Sequence, residues 1–160
     1  LASAVSASPL AAREAMIDSQ LKPCGVVSPR TVGAFYAVAR EDFVPPARRG
    51  LAYVDAAQPL GGGREMMAPL SLGLLVEAAA VQPGERVLVV AAGTGYSAAI
   101  LAAMGARVTA LESEAGLAAA ARQALAGMSD ITVVEGPLEG GAPEGAPYDL
   151  ILIDGAVELL

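Results

Sequence analysis

Arg86-Val-Leu-Val-Val-Ala-Ala-Gly-Thr-Gly-Tyr96 is the stretch that decides the fold. Val87 to Ala91 is short, rich in β-branched residues and uncharged, as a strand buried on both faces of a parallel sheet must be. Gly93-Thr-Gly95 follows at once, and then the alanine-rich segment Ser97 to Met104. Strand, glycine turn and helix together open a nucleotide-binding βαβ unit. Glycine lets the backbone approach a ligand closely, and the free N–H groups at the helix start face its polar or anionic parts.

Arg107 to Leu111 reads as the next strand, and it ends at Glu112. An acid at the tip of the second strand is placed to accept hydrogen bonds from two ribose hydroxyls. The plainer reading of the same residues is a tight turn beside a solvated glutamate. Two cofactors fit the unit. Gly93-Thr-Gly95-Tyr-Ser-Ala98 satisfies the dinucleotide pattern G-x-G-x-x-G/A. S-adenosylmethionine has an adenosine but no phosphate, and would place its methionine moiety at the same turn.

Upstream, Ser8-Pro9 is a helix start, and a helix is expected from there to Leu21 with Leu10, Met16, Ile17 and Leu21 on its apolar side. Ser28-Pro29 repeats the signal for a second helix, Thr31 to Ala39, with Val32, Phe35, Tyr36 and Ala39 inward. The segment from Arg40 to Arg64 reads as irregular. Gly61-Gly-Gly63 suits a flexible loop or a backbone held near a ligand. Ala68-Pro69 opens a leucine-rich helix, and Pro83-Gly84 turns into the first strand.

Downstream, Ala115 to Ala126 reads as a helix and Ile131 to Glu135 as a third strand. Gly136 to Pro147 is a loop, and Tyr148 to Asp154 a fourth strand. Asp154 ends that strand, where an acid faces the ligand crevice of a doubly wound sheet; its other reading is the cap of a following helix. Residues 1–8 are expected to be a flexible tail. Residues 9–160 form one domain, with N-terminal helices and a substrate loop over 9–80 and the cofactor-binding core over 81–160. Further strands are expected beyond Leu160 to complete the sheet.

With 160 residues the chain can bury a real core. Its net charge of −7 works against a phosphate backbone, so nucleic acid is not an expected partner. The lone Cys24 forms no internal disulfide and suits a reducing, cytoplasmic setting. The absence of histidine removes Ser-His-Asp and Cys-His nucleophile systems and most zinc sites, and no metal is expected. Val87 to Ala106 is uncharged over a bilayer's length, but Gly93, Thr94, Gly95, Tyr96, Ser97 and Gly105 break it, so no membrane span is expected.

Met16-Ile-Asp-Ser-Gln-Leu21, Arg40-Glu-Asp-Phe-Val-Pro45, Ala52-Tyr-Val-Asp55, Pro59-Leu-Gly61, Ala68-Pro69, Gly93-Thr-Gly-Tyr96, Glu112 and Ala146-Pro-Tyr-Asp149 come in order. In that order and spacing the chain resembles the protein-L-isoaspartate O-methyltransferases from about Ala12 to Leu160. The resemblance implies an α/β, Rossmann-like, S-adenosylmethionine-dependent methyltransferase sheet carrying N-terminal helices. It also implies S-adenosylmethionine as cofactor and S-adenosylhomocysteine as product. The implied reaction methylates the α-carboxylate of isoaspartyl residues in damaged proteins or peptides, and the ester then collapses to a succinimide. Position by position, Gly93, Gly95 and Tyr96 would line the methionine end of the cofactor and Glu112 would hold the ribose. The Leu60 to Ala68 loop, with Leu60, Gly61, Gly62 and Ala68, would cover the substrate.

Four positions depart from the family pattern. Met67 stands where a catalytic serine is usual. Ala91 replaces the first glycine of the cofactor turn, with Val89 in place of the acid before it. Pro137 replaces an aspartate near the adenine, and Asp154 a small polar residue. Met67 and Asp154 are therefore the candidate catalytic positions, and Ala91 joins the cofactor-binding set. The alternatives are a catalytically impaired relative serving as a binding or accessory subunit of a stable protein partner, and a methyltransferase for another acceptor with Asp154 as base or metal ligand.

Overall fold

The computed structural model describes residues 8–156. Its centre is a sheet of four parallel strands: β3 (Arg86–Val90), β4 (Arg107–Glu112), β5 (Ile131–Glu135) and β6 (Leu150–Ile153), in the order β5-β4-β3-β6. Ahead of it lie helices α1 (Pro9–Met16), α2 (Pro29–Ala37) and α3 (Pro69–Ala79), and a separate antiparallel hairpin, β1 (Gln58–Gly61) and β2 (Arg64–Met66). Helix α4 (Tyr96–Ala103) joins β3 to β4, and α5 (Ala115–Ala124) joins β4 to β5. Strand order reverses between β3 and β6, which puts a ligand crevice at their carboxyl ends.

Alternation along the strands sorts the sheet into two faces. Val87, Val89, Val108, Ala110 and Leu152 pack with Phe35, Leu72, Ile100, Leu101 and Leu125 from the helices in one continuous core. On the other face Leu88 and Leu111 meet Ala142, with Val90, Val134, Leu138 and Tyr148 partly buried around them. Register puts Ile151 beside Leu88 and Ile153 beside Val90. These two edge-strand isoleucines remain 58% and 39% exposed. The reading of four core strands and their linking helices agrees with this arrangement to within a few residues at each end.

The N-terminal layer differs in detail. Ser8 caps α1, its hydroxyl accepting from the Ala11 N–H at 3.2 Å. The expected helix runs on to Leu21, but through a wider π turn over Ile17–Leu21 and then a 3-10 turn over Lys22–Cys24. Leu10 is expected to face inward, but it is 55% exposed. Pro29 starts α2 as expected, yet the Ser28 side chain makes no cap. The Ser28 N–H instead donates to Glu77 of α3 at 2.8 Å. The Gly61-Gly-Gly63 loop is the turn of the β1–β2 hairpin, with a register irregularity between Pro59 and Gly61. Apart from Ser8, the expected tail lies outside the described residues, as do a helix after Asp154 and any further strand.

Two alanines take left-handed backbone angles, Ala80 at φ 47° and Ala91 at φ 63°. For an L-residue with a Cβ this costs about 1–2 kcal/mol. Ala80 is the exposed C-cap of α3, its N–H donating to the Val76 and Glu77 carbonyls. Glycine there removes the strain but adds about 0.5–1 kcal/mol of unfolded-chain entropy. Ala80→Gly is therefore expected to stabilise the fold by up to about 1 kcal/mol, a rise in Tm of about 2–4 °C by differential scanning calorimetry. Ala80→Val should lower Tm; a drop with glycine would show that the cap is not strained.

Candidate active site

The turn after β3 and the end of β4 meet at one buried carboxylate. Glu112 is 0% exposed. Its Oε2 accepts from the Gly93 N–H at 2.7 Å. Its Oε1 accepts from the Ser113 and Glu114 N–H groups at 2.8 and 3.0 Å. The turn can close this tightly because Gly93 and Gly95 have φ of 57° and 96°. A side chain at either position would have to push a leucine aside. A Cβ on Gly93 would lie 2.8 Å from Leu60, and one on Gly95 would lie 2.6 Å from Leu125. Ala91 shares the same left-handed turn and carries the strain that glycine would avoid.

The hairpin closes over this turn. Leu60 lies against Gly93, and Arg64 on β2 donates from Nη2 to Glu112 Oε2 at 2.8 Å. That pair joins a fully buried carboxylate to a guanidinium 23% exposed. On the hairpin's flank is a cavity of about 780 Å³ bounded by Phe43, Pro45, Leu60, Thr94, Leu117 and Ala124. It reaches neither Glu112 nor Asp154.

A second polar cluster lies at the carboxyl ends of β3 and β6. Arg40 is fully buried; its Nε donates to the Ala52 carbonyl and its Nη2 to the Met67 carbonyl, both at 2.7 Å. The guanidinium sits 4.8 Å from the centre of the Tyr96 ring, a cation–π contact in a site with little water. Burial pulls the Arg40 pKa below its ordinary value, against the opposing pull of Tyr96 and Asp154. Asp154 accepts a short hydrogen bond from the Ser97 hydroxyl. Among the described residues its other oxygen, Oδ1, has no partner, nor do Arg40 Nη1 and the Tyr96 hydroxyl. Burial pushes the Asp154 carboxyl up to about 6, although Ser97, Arg40 and Arg64 pull it down.

The family model described as protein-L-isoaspartate(D-aspartate) O-methyltransferase matches residues 11–159. Among similar proteins, a protein-L-isoaspartate O-methyltransferase of Methylorubrum populi is 44% identical over 147 residues, covering 91% of this chain and 69% of its own. One from Methylorubrum extorquens is 43% identical, covering 91% of this chain and 64% of its own. A third, from Rhodopseudomonas palustris, is 40% identical, covering 89% and 59%. The chain thus spans about two thirds or less of these relatives. A solved protein-L-isoaspartate O-methyltransferase superposes with a TM-score of 0.76 at 27% identity, over 88% of this chain and 47% of that one. A Plasmodium falciparum structure, a protein of the same description in complex with S-adenosyl-L-homocysteine, shares the fold with a TM-score of 0.76 at 16% identity, over 92% of this chain and 75% of its own.

Of the residues singled out from sequence, Ala91, Gly93, Gly95 and Glu112 come together at the turn, with Leu60 over them. Gly61 and Gly62 form the exposed hairpin turn, and Ala68 caps α3. Met67 is half-buried against the core with its carbonyl on Arg40. The Tyr96 side chain lies in the core, edge-on to Phe35 at 6.4 Å and tilted on Phe43 at 5.5 Å. Pro137 precedes an exposed 3-10 turn. Arg64 and Arg40 were not singled out. Their only signals were the place of Arg64 directly after the three glycines and that of Arg40 at the head of Arg40-Glu-Asp-Phe-Val-Pro45. Among the described residues no group of Cys, Asp and Glu side chains is arranged to hold a metal ion.

Asp154 gives a stability test. Its ordinary value is 3.8 and its folded value about 6. Between them the native state keeps a proton that the unfolded state has released, so stability falls as pH rises through that window. Asp154→Asn removes this loss. Its Tm advantage over the parent protein is expected to grow by about 1–3 kcal/mol equivalent from about pH 4 to about pH 7.5 in thermal melts. An equal gap at both pH values would sink the assignment.

Proposed function

The chain belongs to the protein-L-isoaspartate O-methyltransferase family, and from that premise we propose that it moves a methyl group from S-adenosylmethionine to the α-carboxylate of isoaspartyl residues in proteins or peptides. The observation that carries this reading is Glu112, buried at the end of β4 and hydrogen-bonded to the Gly93 N–H of the turn after β3. A carboxylate so placed presents fixed acceptors to a ribose diol. The residues present fit the cofactor: Gly93 and Gly95 put no side chain into the turn, and buried Asp154 Oδ1 and the Tyr96 hydroxyl have no polar partner among the described residues.

When bound, S-adenosylmethionine supplies an electrophilic methyl on a sulfonium sulfur. The protein's share of the work is positional. The acceptor carboxylate is ionised at neutral pH, about three units above its ordinary pKa, so no base has to remove a proton. A site without histidine suffices if it aligns the attacking oxygen and excludes water. Glu112 and the glycine turn would fix the adenosine end. Asp154, an anion above about pH 6, would face the cationic end at the β3–β6 reversal. The hairpin would close over both, and the cavity bounded by Phe43, Leu60 and Leu117 would take the peptide around the isoaspartate. No helix among the described residues is long and apolar enough to cross a membrane; a cytoplasmic location is part of this reading.

One observation favours an impaired relative that works as an accessory subunit: Met67 brings no hydroxyl to its position. Two measurements decide. Glu112→Gln is expected to weaken S-adenosylhomocysteine binding about 10- to 100-fold in calorimetry, as loss of a charged hydrogen-bond acceptor does. Undiminished affinity would take the ribose away from Glu112. Met67→Ser is expected to raise methylation of an isoaspartyl peptide about fivefold, one hydrogen bond's worth. No gain would show that the hydroxyl is not what limits the site.

A further inference from the structure

We propose that Arg64 is a specificity residue that exchanges carboxylates: it rests on Glu112 until the cofactor's ribose takes that carboxylate, and then holds the α-carboxylate of the acceptor. The proposal rests on the methyltransferase reading above and adds a residue to it.

Glu112 is fully subscribed. Oε1 takes the Ser113 and Glu114 N–H groups and, at 3.5 Å, the Ser113 hydroxyl. Oε2 takes the Gly93 N–H and Arg64. An ionised carboxylate offers about four lone-pair sites, so a ribose hydroxyl cannot simply be added. Three of the five donors are backbone N–H groups of the β4 end or the β3 turn, and they move only if the sheet does; the Ser113 hydroxyl, at 3.5 Å, is a weak fourth. The Arg64 contact is different, since it comes from a side chain on a separate two-stranded hairpin and is partly exposed to water. It is the contact that gives way.

The hairpin is built to let its tip go while its base stays. Gln58 and Met66 at its base are buried. Gly61, Gly62 and Gly63 at its tip are exposed, with nothing within 4 Å of where their Cβ atoms would be. Arg64 stands between base and tip. Once displaced it is a cation at the site without a partner, near Asp154, whose carboxyl it already lowers. The other guanidinium of the site, Arg40, is fully buried and committed to the Ala52 and Met67 carbonyls. Of the two guanidiniums beside Glu112 and Asp154, Arg64 is thus the one free to meet an incoming anion; the exposed Arg49 lines the neighbouring cavity, which does not reach Glu112. An α-carboxylate matches a guanidinium fork and supplies the acceptor that Arg64 gave up on leaving Glu112. The same exchange couples the two ligands: cofactor binding frees the group that recognises the acceptor, so the acceptor site forms second.

The test is a pair of calorimetric titrations on the parent protein, Arg64→Gln and Arg64→Lys, with thermal melts to show that each variant is folded. S-adenosylhomocysteine is titrated first. Arg64→Gln is expected to bind it about tenfold more tightly than the parent, because no charged contact has to be broken. An isoaspartyl peptide is then titrated into protein saturated with S-adenosylhomocysteine, with its normal-aspartyl counterpart as control. Arg64→Gln is expected to bind the isoaspartyl peptide about tenfold more weakly, with Arg64→Lys in between. Unchanged or weaker S-adenosylhomocysteine binding by Arg64→Gln overturns the exchange, and an unchanged peptide affinity overturns the acceptor role. Failure of the parent itself to bind S-adenosylhomocysteine sinks the methyltransferase reading and this proposal with it.

Discussion

A carboxylate with no exposure to solvent is the constraint around which the carboxyl edge of this sheet is arranged. Burying Glu112 as an anion costs several kcal/mol unless its oxygens are met by donors with good geometry. The backbone meets most of that demand. The strand end supplies the N–H groups of Ser113 and Glu114, and the β3 turn bends until the Gly93 N–H points at Oε2. That bend needs left-handed angles in close succession, which glycine takes freely and Ala91 takes at a cost. It also draws Leu60 and Leu125 into the space a side chain would fill. The turn, the hairpin's seat and the first turn of α4 are consequences of one buried charge.

The N-terminal layer is organised by a buried charge of the other sign. Arg40 spends two of its hydrogen bonds on carbonyls from distant segments, Ala52 and Met67, and so ties the irregular stretch before the hairpin to the start of α3. Tyr53 works beside it. Its hydroxyl receives the Arg40 N–H and Arg13 Nε and donates to Glu41, and its carbonyl receives Gln20. Arg13 Nη1 also donates to the Tyr36 carbonyl of α2 at 2.9 Å, so that α1, α2 and the 40–55 segment are tied into one layer. Tyr96 sits at the junction, under Arg40 and against Phe35 and Phe43. A residue of the cofactor turn thereby doubles as a core residue, and a change in that turn is felt in this layer.

Much of the sheet was legible in the sequence, because a short uncharged β-branched run followed by glycines admits few other structures. Val87 to Val90, Gly93-Thr-Gly95 and Arg107 to Glu112 announce strand, turn and strand by composition and order alone. The hairpin was not legible. Three consecutive glycines signal freedom, and only the pairing of Gln58 with Met66 shows what that freedom is used for. Arg64 and Arg40 were hidden for a related reason: an arginine in an exposed-looking stretch reads as solvated, and its partner is set by tertiary geometry. Leu10 misled in the opposite sense, since apolar spacing marks a face without guaranteeing that anything packs on it. Met67 could be placed only by likeness to a family, because methionine at a half-buried position is ordinary core chemistry.

The charges at the carboxyl edge explain why Asp154 and Arg64 belong in one account. Glu112 and Arg64 cancel within a single contact. Asp154 and Arg40 form no ion pair, and each has an atom without a partner among the described residues. Burial outweighs two guanidiniums in setting the Asp154 carboxyl, so this acid is poorly served by its surroundings despite the nearby positive charge. At neutral pH it is ionised and still short of a contact. Under the proposed function a sulfonium cation suits that position, since it carries charge and has no N–H or O–H to leave unsatisfied. A ribose on Glu112 and a cation by Asp154 would together add positive charge to the site and free the Arg64 fork. An anionic acceptor restores the balance, and an uncharged one does not. The preference for a carboxylate acceptor then follows from the electrostatics of the loaded site, without a base and without a catalytic hydroxyl.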